Sequence, residues 1–162
     1  MDWAGQLEVL GYVALAIFFG GLIGIEREYA DKPAGFRTHM LVAGAAALFV
    51  GLGHGLLDFF TSVQAGGPRL QSDPIRIVEA VITGVSFLGA GTIFRRSRTE
   101  QVEGLTTAAS LLFSAAIGVS VALKQFLLAA GVTLLGLVIL RGFRFVESWI
   151  DRSRGIEEEE RS

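Results

Sequence analysis

The sequence predicts an all-α protein, a polytopic membrane bundle of five transmembrane helices with its N-terminus outside and its C-terminus inside. Two observations point there. Five apolar stretches, each long enough or nearly long enough to cross a bilayer, divide the 162 residues, and the segments that follow them carry positive charge that is heavy, light, heavy, light and heavy again. The apolar share of 51% is ordinary for a soluble domain; its arrangement is not. Charged residues are nearly absent from 9–25 and 105–123, where a soluble amphipathic helix would show a polar face at every turn. A hydrocarbon core of about 30 Å needs about 20 helical residues at 1.5 Å each.

Span one covers about 7–25. Residues 1–6 contain Asp2 and no lysine or arginine, so the basic n-region of a secretory signal peptide is missing and the first apolar run reads as a retained helix. A charged connection, 26–39, broken by Pro33 and Gly35, leads to span two at about 40–57. Asp73 and Pro74 open span three, because aspartate caps free helix amides and proline suits the first helical position; the span continues to about 94. Span four covers about 105–123 and span five about 126–143, with Lys124 and Gln125 as a tight hairpin between them. Residues 1–146 thus form one transmembrane domain. Around the end of span five, Phe143, Val146, Trp149 and Ile150 recur at helical spacing among Arg144, Glu147 and Asp151, which suits a helix lying along the interface. Residues 147–162 read as an interfacial or disordered cytoplasmic tail, with order ending at Gly155 before the acidic run 157–160.

Orientation follows from the basic residues. None precedes span one. Arg27, Lys32 and Arg37 follow it, Arg69 and Arg76 lie around the next connection, and Arg95, Arg96 and Arg98 follow span three. Lys124 then stands alone, and Arg141, Arg144, Arg152, Arg154 and Arg161 follow span five. The positive-inside rule assigns the rich loops to the cytoplasm.

Composition also excludes functions. A formal net charge of −2 with scattered basic residues gives no nucleic-acid footprint. The absence of cysteine removes disulfides, thiolate chemistry and cysteine metal sites. His39 and His54 fall near opposite membrane faces, which does not suit a shared zinc ion. No nucleophile, histidine and acid stand together and no phosphate-binding glycine loop precedes a soluble helix, so an enzyme is not expected.

Small residues mark packing faces. Gly20 and Gly24 are four apart in span one, Gly84, Gly89 and Gly91 lie in span three, and Ser110, Ser114 and Gly118 share a face of span four. In lipid such faces let helices approach closely, so spans one, three and four are expected to form the tight interior, and the same faces predict a homo-oligomer. Glu79 is the only acid well inside a span, and Thr83 and Ser86 continue its face. They suggest a polar track descending into the bundle, since an unpaired intramembrane carboxylate costs several kcal/mol or takes up a proton; the alternative is that Glu79 snorkels to the interface or pairs with Arg76. On the other side, Glu26 and Arg27 face Arg37 and Thr38 across one loop, with Glu26 and Arg37 as the leading pair and ordinary interfacial anchoring as the alternative. Glu103, Thr106 and Thr107 enter span four on that same side, completing a polar cap over spans one, two and four. Magnesium needs oxygen ligands and keeps several waters; Glu26 with Glu103 inside, or Asp73 with Glu79 outside, are the available sets, without a diagnostic spacing.

The run Gly21-Leu22-Ile23-Gly24-Ile25-Glu26-Arg27-Glu28, followed by Lys32-Pro33-Ala34-Gly35-Phe36-Arg37-Thr38-His39, resembles the MgtC/SapB family of bacterial membrane proteins. Gly84-Val85-Ser86-Phe87-Leu88-Gly89-Ala90-Gly91-Thr92-Ile93 is similar to that family's third-span signature. Val102-Glu103-Gly104-Leu105-Thr106-Thr107-Ala108-Ala109, with Ser114-Ala115-Ala116-Ile117-Gly118, is similar to its fourth-span entry. Glu26, Arg27, Gly35, Arg37, Thr38, Gly89, Gly91, Gly104, Leu105, Thr107 and Ala108 match the family pattern. Glu103 stands where some members have arginine, Thr106 where some have asparagine and Glu79 where some have glutamine, so a ligand cannot be carried across at those positions.

The resemblance implies a non-enzymatic, multi-pass protein of the bacterial inner membrane with a role in magnesium homeostasis. It brings Mg2+ as the candidate ligand, with Glu79 and Glu26 as the candidate metal residues. It leaves cation transport open beside regulation of another inner-membrane protein. The longer members carry a C-terminal soluble domain, which this chain is expected to lack.

Overall fold

A computed structural model describes residues 3–63, 75–95 and 102–159. It is helical: α1 (Trp3–Tyr29), α2 (Phe36–Val63), α3 (Ile75–Ala90), α4 (Leu105–Ala122) and α5 (Phe126–Glu159). A short antiparallel hairpin of β1 (Phe94–Arg95) and β2 (Val102–Glu103) joins α3 to α4, pairing Phe94 with Glu103 and Arg95 with Val102. Among the described residues, three helical segments are long and apolar enough to cross a membrane: α1, Phe36–Gly53 of α2, and α4. α3 has 16 residues, and the apolar part of α5, Phe126–Gly142, is also shorter.

Most boundaries follow the apolar runs, and the exceptions have local causes. α1 and α2 extend beyond the expected 7–25 and 40–57, because helix continues into their polar flanks. Span three was expected to reach 94, yet α3 stops at Ala90. The Thr92 amide donates to the Gly89 carbonyl at 2.9 Å and the Ile93 amide to the Ala90 carbonyl at 3.1 Å, while the Thr92 hydroxyl donates to Gly89 at 2.8 Å. These bonds tighten the last turn, and the β-branched and aromatic run after it suits a strand. Gly104 then turns the chain into α4 with φ 94°, and a Cβ there would collide with the Thr92 carbonyl. α5 runs through Gly155 to Glu159 rather than losing order at that glycine. Asp73, Pro74, Arg96 and Arg98 lie outside the described residues, as do the side chains of His54, Phe143, Val146, Trp149 and Ile150.

The molecule is apolar outside and partly polar inside. Leu10, Phe18, Leu41, Phe87, Leu127 and Leu134 are exposed, whereas Glu26, Arg27, His39, Thr107, Ser110, Ser114 and Thr133 are buried. In water that distribution would be inverted; in lipid the apolar exterior meets its own solvent and polar groups gather inside. The core is built from small residues, Ala16, Ala43, Ala47, Ala122 and Ala129, with Ile23, Val50, Ile117 and Val121.

The tight interior is α1, α2 and α4, not spans one, three and four. A Cβ on Gly20 would lie 2.5 Å from the His39 carbonyl oxygen and 2.7 Å from the Ala43 Cβ, and one on Gly24 would lie 2.7 Å from the Phe36 Cα. A Cβ on Gly118 would run into the Ala43 carbonyl. α2 therefore supplies the backbone surface on which the glycines of both α1 and α4 close. α3 contributes less: Gly89 approaches Ala108, where a Cβ would be 3.3 Å away, but Gly84 faces open space and Gly91, beyond the helix end, meets only the carbonyls of Leu88 and Phe87. Among the described residues of a single chain, a Cβ on Gly84 or Gly91 would meet no neighbouring helix.

At one end of the bundle the link between α4 and α5 is tied to the start of α1. Lys124, at φ 62°, donates to Glu8 at 2.8 Å and lies 5.7 Å from the centre of the Tyr12 ring. The Tyr12 hydroxyl donates to the same carboxylate. Hydrogen bonding to Glu8, then to Tyr12, holds the Lys124 ammonium above the ordinary lysine range. Both ends of this ion pair are more than half exposed, so it contributes little stability.

Candidate functional site

The polar residues collect at the opposite end. Gly20, Gly24 and Arg27 stand at i, i+4 and i+7, one face of α1, so the face that closes on α2 also carries Arg27 inward. Glu26 is 6% exposed and Arg27 3%, with an Arg27 Nη1 to Glu26 Oε2 distance of 3.7 Å. Such a pair is tolerated because its members compensate each other; either charge alone inside the bundle would be costly.

The start of α2 is fixed from α1. The Phe36 amide donates to Glu28 Oε2 at 2.9 Å, a carboxylate on an otherwise unsatisfied helix amide. A Cβ on Gly35 would occupy the space of that carboxylate. One turn on, His39 is wholly buried. Its Nδ1 donates to the Gly35 carbonyl at 2.8 Å, and its Nε2 lies 3.0 Å from Ser110 Oγ, which donates to the Thr107 carbonyl at 2.8 Å. A carbonyl only accepts, so Nδ1 carries hydrogen, and in a neutral ring Nε2 shares the Ser110 proton with the Thr107 carbonyl. This link joins the first turns of α2 and α4. Deeper on α4, the Ser114 hydroxyl is buried without a hydrogen-bond partner among the described residues.

A cavity of about 910 Å³ opens above this network. Arg27, Glu103, Thr106 and Thr107 line it, as do Asp31, Lys32, Phe94 and Leu140. Four of the seven expected polar-cap residues therefore share one space, with Glu26 buried beside Arg27. Arg37 and Thr38 do not join them. They are exposed on a separate depression with Glu28 and Tyr29, while Glu26 pairs with Arg27. The reason is helical phase: His39, two residues after Arg37, takes the inward position.

The expected polar track does not descend into the bundle of a single chain. Glu79, Thr83 and Ser86 are all exposed, while Val81, Val85 and Gly89 form the buried face of α3. The Thr83 hydroxyl donates to the Glu79 carbonyl at 2.8 Å, a bond within the helix. No ion pair joins Arg76 to Glu79 among the described residues. Nor do those residues contain a group of three or more histidines and acids placed to hold a metal.

Sequence reasoning did not anticipate the link from His39 to Ser110. The local spacings were visible, His39 four after Gly35 and Ser110 three after Thr107. The contact itself spans 71 positions, and only the close approach of α2 and α4 at Gly118 sets it.

These features define a class: a helical membrane protein whose interior polar groups are gathered at one end of its bundle. The MgtC family matches residues 13–149, and the chain belongs to that family. It is 40% identical over 119 residues to the protein MgtC of Brucella abortus, covering 74% of this chain and 44% of that one. It is 40% identical over 120 residues to MgtC of Salmonella typhimurium, covering 74% and 46%. YhiD of Escherichia coli K12, whose name marks it as a candidate magnesium transporter, is 37% identical over 137 residues, covering 84% of this chain and 60% of YhiD. The chain spans about half the length of the curated relatives it matches. No solved structure matches it.

Proposed function

We propose that this protein is a non-enzymatic, multi-pass component of the bacterial inner membrane that serves magnesium homeostasis by binding and modulating another membrane complex. Five spans, an outer N-terminus and an inner C-terminus accord with the alternating basic segments, and the magnesium link rests on the family and on the name of its E. coli relative. The observation that carries the binding role is Arg27, 3% exposed on the lining of the polar cavity. A fixed guanidinium at that depth repels a divalent cation, with Glu26 offsetting part of its charge. The bonds of His39 and Ser110 support a non-catalytic role, since both nitrogens of the ring and the hydroxyl proton are engaged within the protein and neither residue lines the cavity.

Transport is the second reading, and the exposed face of α3 favours it. Glu79, Thr83 and Ser86 would face lipid in a single chain; a second copy covering α3 would enclose them in a shared seam, with Glu79 as the magnesium ligand. Reconstitution of the full chain in liposomes loaded with a magnesium indicator separates the two. The binding role predicts no flux above empty liposomes, with or without a membrane potential. Flux that Glu79→Ala abolishes would overturn it.

A further inference from the structure

The polar side chains of α3, Arg76, Glu79, Thr83 and Ser86, are all exposed. With Ala90, also exposed, they recur at steps of three, four, three and four residues, the seam spacing of two helices that wind around each other. Exposed Ile75, Ile82 and Phe87 flank this line. Val81, Val85 and Gly89, the buried residues of α3, occupy the far side, so the line stays open while the helix keeps its place in its own bundle. Where α3 crosses the bilayer the line would meet acyl chains, yet ionisable and hydroxylated side chains at such depth almost always face protein. The charges select which protein. Arg76 and Glu79 have opposite signs and stand about 4.5 Å apart along the helix axis, so the line is complementary to itself under a two-fold axis. Two copies inserted in the same sense present α3 in parallel, and each guanidinium then lies within reach of the other copy's carboxylate.

We propose that the exposed face of α3 is a homodimer interface: a parallel two-fold seam closed by reciprocal ion pairs between Arg76 of one protomer and Glu79 of its partner, with Thr83 and Ser86 meeting their counterparts deeper in the membrane. The Thr83 hydroxyl is committed to the Glu79 carbonyl of its own helix at 2.8 Å, so Thr83 adds packing on the axis and Ser86 adds the hydrogen bond between helices. The seam rests on the five-span reading, which puts α3 in the membrane, and on neither account of what the protein does: it closes whether or not an ion is moved.

The chain contains no cysteine, so single cysteines in the purified full chain, reconstituted in liposomes, report the neighbour across the seam. Thr83→Cys and Ser86→Cys, each beside its own counterpart, are expected to link into dimers on oxidation with copper phenanthroline. Gly84→Cys, on the groove between α2 and α3, and Val138→Cys, exposed on α5, stay at the level of random collision. Charge exchange tests the pairing itself. Arg76→Glu or Glu79→Arg sets like charges together and is expected to weaken the dimer about tenfold, read as loss of energy transfer between protomers labelled at Lys124→Cys and diluted in lipid; the double exchange restores it. Rescue separates pairing from misfolding, since merely structural losses would accumulate. Folded protein that is monomeric at every lipid dilution overturns the proposal, as a seam covered by lipid or kept for a different protein would require. Cross-links as frequent at Gly84→Cys and Val138→Cys as at the seam, or a double exchange no stronger than either single one, overturn it equally. Failure of the five-span reading shows separately: Ser86→Cys would then react with a water-soluble maleimide in the same liposomes, whereas a monomer with α3 in the membrane leaves it unreactive.

Discussion

At the scale of single residues, the buried pair of Glu26 and Arg27 gives the most direct test of how this interior is held together. Both side chains are about 95% buried at 3.7 Å, where removing one charge leaves the other in a medium that cannot solvate it. Glu26→Gln is therefore expected to cost about 3–5 kcal/mol, read as a lowered unfolding temperature in detergent. Replacing both, Glu26→Gln with Arg27→Met, should recover more than half of that loss, because no buried charge is then left without the partner it has here. A double variant no more stable than the single one would show that the two charges do not compensate each other. His39 argues in the same direction: a wholly buried imidazole bonded to Gly35 and Ser110 joins two helices through polar contacts that lipid cannot replace.

At the scale of elements, one substitution placed at two glycines should have opposite effects. Gly118→Ala puts a methyl group into the Ala43 carbonyl, so α4 must move off α2, at a cost of about 1–3 kcal/mol. Gly84→Ala meets open space and gains about 0.5–1 kcal/mol of helix propensity. Melting curves of the two proteins check this, and equal shifts would contradict the packing of α2 between α1 and α4. That packing was only partly legible in the sequence. α4 was found within a residue because Glu103 and Lys124 bracket its apolar run. The end of α3 was missed because residues 91–94 are apolar in either conformation, and only the hydrogen bonds of Thr92 and Ile93 decide for a hairpin. Glycine spacing identified Gly20, Gly24 and Gly118 as close contacts but could not name α2 as their common partner. The neighbours of Arg37 along the chain point to the polar cap, whereas helical phase gives the inward position to His39. The link between α4 and α5 behaves as a surface element: the raised Lys124 ammonium stabilises fully below the pKa of an unfolded lysine, about 10.4, and its contribution is lost only as pH rises through the folded value. Unfolding between pH 6 and 9 should therefore not register it.

At the scale of the whole molecule, the packing ties the charge pattern to two distinct ends. Glu8 of α1 meets Lys124 beyond α4 at one end, while Arg27 of α1 and Thr107 of α4 share the cavity at the other, so α1 and α4 run antiparallel. Ile139 and Leu140 of α5 reach that cavity too, which returns α5 to the end where its arginines begin. The cavity end thus gathers Arg27, Lys32, Arg37 and Arg141, whereas Lys124 is the basic residue of the opposite link. In the orientation proposed from the positive-inside rule, the cavity faces the cytoplasm. Because the chain contains no cysteine, single-cysteine variants can be labelled without background. Lys124→Cys is expected to react with a membrane-impermeant maleimide in intact cells, and Lys32→Cys only after the membrane is permeabilised. Both positions are exposed, so protection by folding does not confuse the result. Labelling of Lys32→Cys in intact cells, with Lys124→Cys protected, would reverse the orientation and put the cavity outside. Labelling of both would mean that the helices do not alternate across the bilayer as their antiparallel packing requires.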